Sequence, residues 1–151
     1  MPHTILYIED ETAIIELVHV ILEHPSIRLI STCSGVDGLE RARREKPDIL
    51  IIDVVMPDRD GWDIYEEVRR DENLKHTPII MLTGQLHRYR IMKEFSKSPI
   101  DAYITKPFEA RAVRTAVERF LGVSLWSTEP AAPLPAHAGR PLPSQSTGTE
   151  A

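Results

Sequence analysis

The sequence predicts an α/β protein: a doubly wound, five-stranded parallel sheet with helices on both faces, followed by a disordered C-terminal tail. Three observations predict it. Short apolar runs rich in β-branched residues alternate with longer segments of helical period over the first 121 residues. Pro25, Pro47, Pro78 and Pro99 each stand just ahead of such a run, where a helix must already have ended. The composition, 42% apolar and 27% charged over 151 residues, suits one core of ordinary size.

The elements follow in order. Thr4–Glu9 reads as the first strand. In the helix after it, Ile14, Leu17, Val18, Ile21 and Leu22 fall on one face. Ile27–Cys33 is the second strand, and Ser34 can cap the second helix. Ile49–Asp53 opens with four consecutive branched apolar residues, as a strand covered on both faces does. Asp60 sits where the third helix begins. Ile79–Thr83 is the fourth strand. Leu86–Lys97 is the least regular helical segment, because Leu86, Tyr89, Ile91, Met92 and Phe95 form no single stripe. Ala102–Thr105 is the fifth strand, and Val113, Ala116, Val117, Phe120 and Leu121 give the last helix its apolar face.

Composition shifts at Gly122. From there to Ala151 the chain holds five of its 12 prolines and three formal charges, Glu129, Arg140 and Glu150. Such a segment buries too little apolar surface to offset its ordering entropy. Residues 1–121 therefore read as the folded domain and 122–151 as a disordered tail or linker. Leu125 and Trp126 either dock on the domain or stay solvated, and the sequence leaves both open.

Charge and cysteine content exclude several classes. With 23 acidic and 18 basic residues the net charge is −5, which disfavours a free-standing nucleic-acid binder. The one cysteine, Cys33, rules out an intrachain disulfide, and no Cys/His cluster has zinc spacing. No apolar run approaches the roughly 20 residues of a membrane helix. The first residues lack the basic and long apolar regions of a signal peptide. A soluble cytoplasmic protein is expected.

The strand ends carry the chemistry. Parallel strands joined by right-handed crossovers bring their C-terminal ends to one edge. The first strand runs into Glu9, Asp10 and Glu11, and the third into Asp53. The fourth ends at Thr83-Gly84, and the fifth leads to Lys106-Pro107. Crowded carboxylates repel one another, and a divalent cation offsets that; an all-oxygen set suits Mg²⁺. A carboxylate beside Mg²⁺ can attack phosphorus and form an aspartyl phosphate. Lys106 and Thr83 are the types that stabilise charge on a transferred phosphoryl group. Taken singly, each residue has a plainer explanation as a cap, a solvated turn or a surface lysine. Their joint placement at four strand ends does not.

These motifs resemble the receiver domain of bacterial two-component response regulators, the family that includes the chemotaxis response regulator. The resemblance covers Thr4 to Leu121 and rests on four stretches. They are Ile5-Leu6-Tyr7-Ile8-Glu9-Asp10-Glu11, Asp53-Val54-Val55-Met56-Pro57-Asp58-Arg59-Asp60-Gly61, Met81-Leu82-Thr83-Gly84 and Tyr103-Ile104-Thr105-Lys106-Pro107-Phe108. It implies a flavodoxin-like sheet of order 2-1-3-4-5. It also implies that Asp53 is the phosphoacceptor and Asp10 a direct Mg²⁺ ligand, with Glu9 acting mostly through water. Val55 would lend the metal its backbone carbonyl. Lys106 would pair with the phosphoryl group or Asp53, through a cis Lys106-Pro107 peptide. Thr83 and Tyr103 match the switch hydroxyl and the aromatic that follows it, and Gly61 the glycine after the acceptor loop. Glu9 departs from the commoner aspartate. So do Ser96–Ile100, which replace the usual glycine-containing turn, and Gln85–Arg90, which replace an acidic helix start. Arg88, Arg90, Lys93 and Lys97 make that fourth helix basic, either a solvated face or a partner surface.

By this resemblance the chain is a single-domain response regulator, not an enzyme in the ordinary sense. A sensor histidine kinase would phosphorylate it. Its output would be a protein contact or onward phosphotransfer through the face of the fourth helix, fifth strand and last helix. Three alternatives compete: a receiver-like interaction module that never carries phosphate, a Mg²⁺-dependent phosphohydrolase, and a flavodoxin-like redox protein. The phosphohydrolase commonly needs a second Asp two residues after its nucleophile, where this chain has Val55. The redox protein needs a phosphate-cradling loop where Glu9-Asp10-Glu11 would repel phosphate.

Overall fold

The computed structural model describes residues 2–56, 58–84 and 99–126. The expected helix over 86–97 lies outside the described residues, as do 127–151 of the expected tail. The elements run β1 (His3–Ile8), α1 (Thr12–Ile21), β2 (Ile27–Thr32), α2 (Gly35–Glu45), β3 (Ile49–Asp53), α3 (Gly61–Arg70), β4 (Ile79–Thr83), β5 (Asp101–Thr105) and α4 (Ala110–Leu121). All five strands are parallel, in the order β2-β1-β3-β4-β5. That is the expected doubly wound, flavodoxin-like sheet.

Strand periodicity divides the core in two. Leu6, Ile8, Leu50, Ile52, Ile79 and Met81 point to the side covered by α2 and α3. Ile5, Tyr7, Ile49, Ile51, Ile80 and Leu82 point to the other, against α1 and α4. Every residue of β3 and β4 is buried, as the apolar runs require of central strands. Both expected caps form: Ser34 Oγ accepts from Asp37 N, and the Asp60 carboxylate from Trp62 N. α4 ends at Gly122, whose φ of 71° favours a residue without Cβ.

Four strand boundaries and one helix face differ from expectation, the first being the start of β1 at His3 instead of Thr4. β1 stops at Ile8 and β2 at Thr32, leaving Glu9 and Cys33 in the loops at the sheet edge. β5 starts at Asp101, which pairs with Ile79 and is buried against Tyr65 and Arg69. In α1, Val18 and Ile21 are buried, but Leu17 is 46% exposed, because the apolar stripe is wider than the sheet surface it covers.

Trp126 docks. The Glu118 carboxylate accepts from the backbone N–H groups of Leu125 and Trp126, turning the chain back along α4. The indole packs with the α1–α4 cluster, edge-on to the His24 ring and under the Arg114 guanidinium.

Candidate functional site

Sheet register sets the site. Ile8 is level with Ile52, so Glu9 and Asp53 emerge side by side from the central strands. Asp53 pairs with Leu82, and Thr83 with Thr105, which places Thr83 one step higher on the same edge. Glu9 and Asp53 are buried, 1% and 4% exposed, while Asp10 faces solvent. One carboxylate oxygen from each of Glu9, Asp10 and Asp53 lies within 4.8 Å of the others.

Lys106 supplies the countercharge. Its Nζ lies 2.9 Å from Asp53 Oδ1 and 3.4 Å from Glu9 Oε1. Its backbone N–H donates to Thr83 O at 2.8 Å, and the peptide to Pro107 is cis, as the resemblance implied. Burial disfavours the ammonium, but the hydrogen bond and charge of Asp53, with those of Glu9, outweigh it and raise its pKa. Burial also pushes the Glu9 carboxyl above the usual carboxylate range, and the Asp53 charge adds to the shift. The Tyr7 hydroxyl and Lys106 oppose it.

Three carboxylates against one ammonium leave an excess of negative charge that a small divalent cation would offset. The donor set fits Mg²⁺: it is all hard oxygen, and Mg–O bonds of about 2.1 Å put opposite ligands about 4.2 Å apart. A span of 4.8 Å needs only slight closure or a bridging water. Val55 follows on the loop leaving β3, its side chain 64% exposed.

Gly61 closes that loop. Its N–H donates to Val54 O at 2.8 Å, and a Cβ there would sit 2.3 Å from Asp53 O. The close approach therefore requires glycine. Among the described residues, nothing beyond its chain neighbours lies within 4 Å of where a Gly84 Cβ would stand. The Thr83 hydroxyl, buried, donates to Gly84 O at 3.0 Å. Tyr103, on β5, is 41% exposed at the outer side of the sheet. Glu9, Asp10, Asp53 and Lys106 thus come together, with Thr83 on the same rim and Tyr103 set apart from the cluster.

Two contributors were not anticipated. The Tyr7 hydroxyl, on a fully buried ring, donates to Glu9 Oε1 at 2.9 Å. The alternation of β1, which puts residues 7 and 9 on one face, was the signal for it. The Asp58 carboxylate accepts from Ser34 Oγ, Gly35 N and Val36 N, tying the loop after Asp53 to the start of α2. Those backbone bonds from Gly35 and Val36 bring its pKa down to about 2.

Comparison with known proteins agrees with this fold. The family model described as the response regulator receiver domain matches residues 5–118. The alkaline phosphatase synthesis transcriptional regulatory protein PhoP of Bacillus subtilis is 32% identical over 121 residues, covering 80% of this chain and 49% of PhoP. The chain spans about half the length of this and other transcriptional regulators it matches. The polar-differentiation response regulator DivK of Brucella anthropi is 26% identical over 127 residues, covering 81% of this chain and 98% of DivK. Among solved structures, a response regulator from Chloroflexus aurantiacus superposes with a TM-score of 0.72 at 30% identity, over 81% of this chain and 99% of that one. The receiver domain of the sensor histidine kinase PA1611 from Pseudomonas aeruginosa, solved with magnesium in its active-site cleft, shares the fold at 24% identity (TM-score 0.70, 81% and 99% covered). With the family model spanning most of the chain and the sheet order and acidic edge in agreement, this protein belongs to the response regulator receiver domain family.

Proposed function

We propose that this chain is a phosphoacceptor in the cytoplasm: Asp53 takes a phosphoryl group from the phosphohistidine of a sensor histidine kinase, with Mg²⁺ as cofactor. The observation that carries the reading is Lys106 Nζ at 2.9 Å from Asp53 Oδ1, beside Glu9 and Asp10 on the open edge of the sheet. Asp53 attacks phosphorus through a carboxylate oxygen. The P–N bond to imidazole breaks as the P–O bond forms, and the imidazole leaves. Lys106 is held where negative charge on the phosphoryl oxygens would develop. Glu9, Asp10, Asp53 and the Val55 carbonyl would hold Mg²⁺, which supplies charge neutralisation when bound. The space beside Gly84, open among the described residues, would admit the phosphoryl group next to Thr83.

Phosphorylation would then shift the balance between two conformers. Thr83 turns its hydroxyl from Gly84 O toward the phosphoryl group, and Tyr103 changes rotamer in response. The predicted helix over 86–97, β5 and α4 would present the change to an output protein or a phosphotransfer protein. Asp53→Asn tests the assignment with a phosphoramidate donor and Mg²⁺. The variant should stay folded and take up no label. Label retained on the folded variant would show that another group is the acceptor. Absence of label on the unaltered protein, with Mg²⁺ bound, would favour an interaction module that carries no phosphate.

A further inference from the structure

Glutamate at position 9 brings one methylene more than the aspartate common in the family pattern, into a site where it is 1% exposed. Three donors fix where that longer arm ends. The Tyr7 hydroxyl reaches Oε1 at 2.9 Å, and Lys106 Nζ reaches the same oxygen at 3.4 Å. The Glu11 N–H reaches Oε2 at 3.3 Å. Tyr7 is rigid in this role. Its ring is fully buried in the cluster beneath α1 and α4, and it rises from the same strand face as Glu9. A phenol carries its proton at neutral pH, so the Tyr7 hydroxyl is the donor to the carboxylate.

We infer that Tyr7 is a positioning residue of the acidic centre: its hydroxyl shares Oε1 of Glu9 with Lys106 and keeps the carboxylate from closing further on the ammonium, in reach of a cation shared with Asp10 and Asp53. The inference rests on the Mg²⁺ reading above. Without the phenol, Oε1 loses its nearer donor and closes on Lys106, forming a tighter ion pair that competes with the cation. Aspartate at position 9 is shorter by about 1.5 Å of chain and would not reach the phenol. Tyr7 and Glu9 therefore form a matched pair.

The test measures Mg²⁺ binding by calorimetry in the full chain, with Tyr7→Phe made alone and in a Glu9→Asp background. Phenylalanine keeps the ring's packing, and melting curves report its fold. Losing a hydrogen bond to a charged group should weaken Mg²⁺ binding about tenfold in the Glu9 chain. In the Glu9→Asp chain the same change should alter affinity less than about twofold. A second readout needs no change at Tyr7: with ¹³Cζ-labelled tyrosine, the Tyr7 signal should move on adding Mg²⁺ to the unaltered protein and stay fixed in Glu9→Asp. Equal losses in both backgrounds, or a Tyr7 signal indifferent to Mg²⁺ that binds, would overturn the role of Tyr7 alone. An unaltered protein that binds no Mg²⁺ would overturn the metal reading itself.

Discussion

Replacing Lys106 by methionine isolates what the ammonium does for the apo site. Methionine keeps the length and apolar stem but leaves Glu9 and Asp53, 1% and 4% exposed, without their shared countercharge. Removing one member of a buried pair costs about 3–5 kcal/mol when the charge left behind cannot escape. Here it can, because Glu9 can take up a proton. From its ordinary value of 4.5, protonation at pH 7 costs about 3.4 kcal/mol, which caps the loss. Water reaching the half-open edge lowers it further, so about 2–3 kcal/mol is expected at pH 7 in chelator. That corresponds to a fall of about 10 °C in melting temperature.

The sign of the pH dependence follows from Glu9. Its folded pKa lies above its unfolded value, so between the two the folded state binds more protons. Stability therefore falls as pH rises through that window, and Lys106→Met extends the window upward. The variant's deficit should shrink as pH falls toward 4.5, where protonating Glu9 costs little. Lys106 in the unaltered chain gives the opposite limb: its raised folded pKa contributes stability below 10.5 that disappears as pH climbs through the folded value. Urea melts of both proteins at pH 5 and pH 7, in chelator, measure the difference. A deficit that is equal at the two pH values, or absent at pH 7, would refute the account of Lys106 as the countercharge of this cluster.

The other predictions concern the metal, the loop and the chain end. Mg²⁺ at tenfold its Kd should stabilise the protein by about 1.4 kcal/mol, and Asp10→Asn should remove most of that gain; a melting temperature indifferent to Mg²⁺ refutes it. Gly61→Ala should cost about 2–3 kcal/mol and slow phosphoacceptance, since its Cβ meets Asp53 O at 2.3 Å and the loop must shift. A neutral melt for that variant would show the loop to be slack. Ending the chain after Leu121 should cost about 2 kcal/mol, whereas ending it after Trp126 should cost little, because the indole packs against His24 and Arg114. In a Trp62→Phe background, emission typical of a solvated indole would count against the docking of Trp126.

The sequence alone determined the alternation of strands and helices, the covered central strands, and the edge on which Glu9, Asp10, Asp53, Thr83 and Lys106 meet. It also determined the Ser34 and Asp60 caps, which span only two or three residues. These features arise from periodicity and from contacts between chain neighbours, so each is written locally. Strand order was different: it followed from the family resemblance, since periodicity does not say which parallel strands lie side by side. Tertiary structure decided the rest. The resemblance gave Glu9 a place beside the metal, but not its burial under Tyr7 and Lys106, a residue 97 positions away. Asp58 had no role assigned from the sequence, yet it caps a helix more than 20 positions earlier in the chain. Trp126 was undecided between solvent and core until Glu118 and Arg114 gave its segment a place. Lys106 for Glu9, Ser34 for Asp58 and His24 for Trp126 are all distant along the chain. Which distant groups share a buried volume is set by how the layers pack, and that choice lowers the free energy of the whole fold without marking any single segment.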